Sequence, residues 1–268
     1  MLICPVCGEQ LVFSPSRAVC CNCHSFDVAK EGYVNLLRSG KSGDMIGDDK
    51  TSARRRRDFL NKGYYQPLAD ALCTLLRDQE GNLLDICCGE GYYTSQIRKK
   101  CKVNVYGFDI SKEMVRLAAK RSSGVYFVAN MASIPVADEA FDVAIHLFAP
   151  FKESEFARIL KKSGTLYSVI PGKYHLYGLK QALYDTPYFN DEKLPPTQQL
   201  ELIQTHRVRA SICLHDREDI ESVFRMTPYY FHTSQRDKEK LALLECLETD
   251  IEFLIAEYRK TGDVTYAR

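Results

Sequence analysis

Three groups of residues have types and spacings that can do chemistry. The first is CPVCGEQLVFSPSRAVCCNCH near the amino terminus, five cysteines and one histidine in twenty-one positions. Cys4-x2-Cys7 presents two sulfurs from one tight turn, and a second pair twelve residues on closes a tetrahedron. Two solutions fit: Cys20 with Cys23 as a four-cysteine ribbon, or Cys20 with His24 at x3 spacing. Cys21 faces the wrong way to join both partners. Paired knuckles at this separation predict a structural zinc rather than free or redox thiols. Four protein ligands close such a site, so it holds a fold together and performs no hydrolysis.

The second group is LLDICCGEGYYT, a short apolar run ending in Asp85 and turning through Gly89 and Gly91 into a helix. A turn of this kind puts a ligand at the carboxyl end of the first strand of an α/β sheet. Asp109, closing the next strand in VYGFDIS, lies eighteen residues past Gly91. An acid at that place accepts hydrogen bonds from ribose hydroxyls, so a nucleoside is the expected ligand. The dinucleotide pattern G-x-G-x-x-G is not met, because Thr94 occupies the third glycine's place. A ligand without a pyrophosphate suits the turn better, and S-adenosylmethionine is the candidate. The usual methyltransferase pattern D-x-G-x-G-x-G is broken once, by Cys87 at its first glycine. That change sets a Cβ where the main chain approaches the ligand.

The third group is Phe148, Ala149, Pro150 and Phe151, at the place where amino-group methyltransferases carry an (N/D)PP(Y/F) loop. No carboxylate or amide begins it, which argues against that mechanism. His146 and His175 are candidate bases, and no general base is assigned.

The elements that must position these groups follow from hydrophobic periodicity. Residues 1–37 are too few to bury a core of their own, the situation in which a structural metal supplies folding energy. RSGKSGDMIGDDKTS (38–52) is rich in Gly, Ser and charge and reads as a linker, with a larger domain over 53–268. There Pro67 marks a helix start. Strand and helix patterns then alternate from Leu83 through Gly172, which implies a doubly wound, mostly parallel sheet. Beyond it we expect a helix near 173–184, a strand at HRVRASICL, helices near 216–225 and 236–247, and an antiparallel edge strand at DIEFLIAEY.

The totals are permissive. The chain has 268 residues, 45% hydrophobic and 26% charged, with a formal net charge of +1, so no global basic field points to nucleic acid. No apolar run approaches a membrane span, and no signal-like segment precedes Cys4; a soluble, cytoplasmic protein is expected, with no membrane partner. The later cysteines, Cys73, Cys87, Cys88, Cys101, Cys213 and Cys246, read as small core residues. Bland readings stand beside several motifs. Arg54 to Arg57 on a helix cannot share one face, Tyr64 and Tyr65 read as packing residues, and Tyr229, Tyr230 and Phe231 are expected to be buried.

Taken together, CPVCGEQLVF…VCCNCHSFDVAKEGYVNLL, RRDFLNKGYYQPL, LDICCGEGYYT, FDISK, FAP and IPGKYHLYGLK resemble the bacterial 23S ribosomal RNA guanine-N1 methyltransferases of RlmA type. The likeness spans most of the chain. It implies a class I methyltransferase, Rossmann-like, with a small zinc-binding module in front. It also implies N1 methylation of a guanine in a domain II hairpin loop near the macrolide-binding exit tunnel, by a homodimer whose cleft holds the hairpin.

By this resemblance the zinc ligands are Cys4, Cys7, Cys20 and His24. The S-adenosylmethionine pocket uses Gly89, Glu90, Gly91 and Tyr92 at the turn and Asp109 at the ribose, with Tyr65 and His175 over the methionine end. The module, with Lys30, Arg38 and Lys41, is expected to recognise RNA. Deleting 1–37 is then expected to abolish RNA methylation and leave cofactor affinity largely intact. The competing classes are a methyltransferase acting on a small molecule or protein, and a non-catalytic zinc-ribbon RNA-binding protein.

Overall fold

The computed structural model describes residues 1–37 and 50–261; Arg38 and Lys41 lie outside them. The chain opens with three very short strands, β1 (Val12–Phe13), β2 (Arg17–Val19) and β3 (Ser25–Asp27), in an antiparallel sheet. Most of their side chains face solvent, so the pairing cannot be held by burial within the unit. Instead Leu2, Leu11, Ala18 and Val34 are buried in one cluster with Phe127, Ile134 and Val136 of the large domain.

After α1 (Lys50–Asn61) and α2 (Gln66–Leu75), with Pro67 in the first turn of α2 as the sequence predicts, strands and helices alternate. They run β5 (Gly81–Ile86), α3 (Tyr92–Lys100), β6 (Val103–Asp109), α4 (Lys112–Arg121), β7 (Val125–Val128), β8 (Phe141–Leu147), α5 (Glu153–Ile159) and β9 (Leu160–Pro171). The remainder is α6 (Tyr177–Leu183), β10 (Leu200–Leu214), α7 (Arg217–Arg225), a 3-10 turn (Pro228–Phe231), α8 (Gln235–Ala242) and β11 (Leu247–Lys260).

The main sheet has the order β10-β11-β9-β8-β5-β6-β7-β4, where β4 is Val34–Asn35. Strands β4 to β9 are parallel, and β11 and β10 are antiparallel additions. Helices cover both faces, so central strands read as continuous apolar runs: Leu83, Leu84 and Ile86 have no solvent exposure. Strand order reverses at β5, and the loop after β5 opens at that switch point. The doubly wound architecture expected from the alternation is the one found.

Three details differ from the sequence reading. Strand β11 is an interior strand: β10 lies outside it with side chains largely exposed, so the edge expected at DIEFLIAEY belongs to β10. The helix expected over 173–184 begins at Tyr177, because Leu176 takes a left-handed φ of 55°. Helix α8 ends at Ala242, and the chain is already in β11 at Leu247.

The amino-terminal unit is also not simply appended. Its β4 pairs in parallel with β7, Leu2 bridges Val136, and Leu36 donates its N–H to the Val128 carbonyl. Removing residues 1–37 would strip a strand from the sheet and uncover its core, so the intact cofactor affinity expected of the deletion does not follow. Among the later cysteines Cys73, Cys88 and Cys101 are buried, whereas Cys87 and Cys213 are half-buried and Cys246 is exposed. No helix among the described residues is long and apolar enough to cross a membrane.

Candidate active site and metal centre

The metal centre is built by two knuckles. The Cys4 turn is closed by Gly8 N–H to the Cys4 carbonyl at 2.9 Å, and Val6 N–H points at the Cys4 sulfur at 3.4 Å. The Cys20 turn closes through Cys23 N–H to the Cys20 carbonyl at 3.0 Å, with Cys23 in a left-handed φ of 61°. The donor atoms of Cys4, Cys7, Cys20 and His24 all lie within 4.8 Å of one another. Cys23 stands outside this group, so the choice that spacing left open falls to His24.

The separations fit a tetrahedral ion. Zinc–sulfur bonds of about 2.3 Å set sulfurs about 3.8 Å apart, and Cys7 Sγ is 3.7 Å from Cys20 Sγ. His24 presents Nδ1, 3.4 Å from Cys20 Sγ. A hydrogen bond from the Asn22 side chain, with Glu9 N–H adding to it, lowers the Cys7 thiol to about 6, toward the thiolate a metal needs.

The glycine turn follows β5. Asp85 is buried at its end and accepts a short hydrogen bond from Thr94 Oγ on α3. Burial lifts its carboxyl to about 7, against the lowering effect of Thr94, and Asp109 adds to the rise. Cys88 N–H donates to the Phe108 carbonyl at 2.8 Å, tying the turn to β6. Asp109 braces it from below, accepting from Gly89 N–H at 3.1 Å and Ser111 N–H at 2.9 Å.

The two glycines have different reasons to be there. A Cβ at Gly91 would lie 2.9 Å from Ala118 of α4, at a φ of 81°, so the helix packs onto the turn only with glycine. At Gly89, φ 56°, no atom lies within 4 Å of where a Cβ would stand, leaving open space beside the main chain and Asp109. Cys87 occupies a left-handed φ of 58°, a conformation that suits the glycine it replaces, and its sulfur lies 3.9 Å from Met131 Sδ.

Glu90 and Tyr92 do not turn their polar ends to this space. The Glu90 carboxylate is buried and paired with Arg121 of α4 at 2.7 Å. Tyr92 Oη donates to Gln66 Oε1 at 2.9 Å. Glu90 therefore belongs to the turn through its main chain.

Tyr65 and His175, 110 residues apart, do meet. Glu252 N–H donates to His175 Nδ1 at 3.3 Å, so the ring proton sits on Nε2 and points at Tyr65 Oη, 3.4 Å away. Burial, with Lys180 adding to it, lowers His175 to about 3, and the ring is neutral. Phe253 of β11 packs against both rings, and Phe148 packs against Phe253 at 5.6 Å. Phe148, 43% exposed, takes a left-handed φ of 57°, an unusual conformation for a bulky residue. Phe253 and the bracing Asn190, which donates to the Gly172 and His175 carbonyls, escaped the sequence reading. The former hides in an apolar run and the latter in a polar loop.

Other candidates resolve into structure. His146 is buried, donates from Nε2 to the Pro150 carbonyl at 3.2 Å and accepts at Nδ1 from Ser168 Oγ at 3.1 Å, so it holds the loop after β8 and is no general base. Phe151 packs on Phe156 and Tyr258. Tyr64 Oη donates to Asp219 at 2.6 Å, while Phe231 is 79% exposed, against the burial expected for it.

Comparison with known proteins bears on the whole chain. Residues 2–39 match the zinc-ribbon family model described as RlmA, N-terminal, and residues 83–164 match a methyltransferase domain. A 23S rRNA (guanine(748)-N(1))-methyltransferase of Streptomyces fradiae is 32% identical over 90% of this chain and 88% of its own. YxjB of Bacillus subtilis (strain 168), provisionally named a 23S rRNA (guanine-N1)-methyltransferase, is 28% identical over 95% of this chain and 96% of its own. A Micromonospora griseorubida protein with the same provisional description is 29% identical over 96% of this chain and 97% of its own. An RlmA-type zinc ribbon welded to a class I methyltransferase sheet, with end-to-end relatives of that activity, places this chain in the 23S rRNA (guanine-N1)-methyltransferase family.

Proposed function

We propose that this enzyme methylates N1 of a guanine in a domain II hairpin loop of 23S rRNA, with S-adenosylmethionine as donor. The observation that carries the reading is the glycine turn at the sheet's switch point. There Gly89 leaves open space beside its main chain, and Asp109 stands at the end of the next strand. In this reading Asp109 accepts from the ribose hydroxyls, the main chain of Gly89, Glu90 and Gly91 with Tyr92 forms the cradle, and Tyr65 with His175 closes the methionine end. His175 Nε2–H occupies an acceptor lone pair of Tyr65, which leaves the Tyr65 hydroxyl proton to donate toward a carboxylate. S-adenosylmethionine supplies an electrophilic methyl carbon on sulfur.

The protein's part is position. Phe148, held exposed after β8, offers a face on which an unstacked guanine can lie. The residues 1–37 unit, stapled by zinc at Cys4, Cys7, Cys20 and His24, presents the RNA, and 53–268 performs the transfer. A homodimer is part of the proposal, supported by the long exposed edge of β10, where Leu202 and Ile203 are 44% and 43% exposed. Primer extension on 23S rRNA from cells with and without this gene tests the reading. The expected result is one gene-dependent stop at a domain II loop guanine. Identical stops in both strains overturn it.

A further inference from the structure

Between the metal module and the start of α4 runs a groove of about 650 Å³. Its walls include Val6 from the first metal knuckle, Phe26 from β3 and Tyr33 beside β4, and Asn35, the exposed Asp27 and Lys112 line it as well. Val6 is 52% exposed although the knuckle orders it, and Phe26 is half-buried, so the groove keeps apolar surface open to solvent. Asn35 Oδ1 accepts from Leu37 N–H at 3.1 Å, which fixes the amide and leaves its NH2 end to donate. Lys112 is exposed, and no acid lies within ion-pair distance of it among the described residues. Its position is three residues past Asp109, so the groove adjoins the crevice proposed for the donor. At its back Tyr33 packs in one cluster with Cys88 of the glycine turn.

We propose that this groove holds one unpaired nucleotide of the rRNA beside the target guanine, its base against Phe26, its edge read by Asn35 and its phosphate at Lys112. The occupant follows from the lining. An aromatic face suits a base of any kind, an amide reads a base edge, and an unpaired cation suits a phosphate. The volume is that of a small-molecule site, too small for a helix and sufficient for a nucleotide. The proposal rests on the rRNA reading above, and it gives the module a task that the closed metal site cannot perform.

The test uses the full chain with a domain II transcript. Phe26→Ala is expected to raise KM for the transcript about tenfold, with kcat within about twofold, zinc content intact and S-adenosylmethionine affinity unchanged by calorimetry. Phe26→Tyr, which keeps the ring, is expected to restore KM, and Lys112→Ala to weaken the transcript's KM and flatten its salt dependence. Wild-type KM in both Phe26→Ala and Lys112→Ala overturns the groove while leaving rRNA methylation standing. A wild-type enzyme that leaves the transcript unmethylated overturns the rRNA reading itself and this proposal with it.

Discussion

At single residues the fold imposes both conformations and charge states. Asp85 sits without solvent, and its carboxyl is lifted to about 7. Because the folded value exceeds the unfolded one, its contribution to stability is full below about pH 4 and lost as pH rises through 7. Asp85→Asn keeps an acceptor for Thr94 and has no proton to lose. Its unfolding free energy is expected to gain on wild type as pH rises from about 4 to about 7, reaching a few kcal/mol; calorimetry that finds a constant offset contradicts this. Cys87 pays for a left-handed φ of 58°. Cys87→Gly is expected to stabilise the chain by about 1 kcal/mol, read by denaturant unfolding. Burial lowers His146 to about 4 and His175 to about 3. The kcat–pH profile should therefore carry no limb between about pH 5 and about pH 8 from either ring, and His175→Gln should leave its shape unchanged. The metal cysteines and the position of the glycine turn between β5 and α3 were legible in the sequence because ligand spacing and turn geometry are local. The strain at Phe148 was not, since nothing in FAPF announces a positive φ.

At the scale of elements, alternating apolar runs foretold the order of β5 to β9, because parallel buried strands need no partner to be recognised. The exchange between β10 and β11 was hidden, since antiparallel additions are ordered by tertiary packing and both runs read as strands. Hidden too was β4, two residues long, which owes its place to pairing with β7 and to the module, where Val34 bridges Val28. That dependence is testable. Cys20→Ser, or stripping zinc with a chelator, is expected to lower the midpoint of the whole chain by several degrees in a single transition, because β4 shares a sheet with the catalytic strands. Two separate transitions, with the upper one unmoved, would show that the module folds alone.

For the whole molecule, composition gave little: a net charge of +1 names no partner, and the RNA reading comes from the joined module and sheet together with relatives aligned end to end. The two units share a core, so in the proposed reading RNA presentation and methyl transfer are built on one frame. The most direct test of the central claim is incubation of purified wild type with S-adenosylmethionine and 23S rRNA lacking the modification, followed by nucleoside mass spectrometry and fragment mapping. The account predicts 1-methylguanosine in a domain II hairpin fragment, and a loss of about tenfold or more in donor affinity for Asp109→Ala. Transfer to another nucleotide or another guanine atom, or no transfer by a protein that binds the donor, would contradict it.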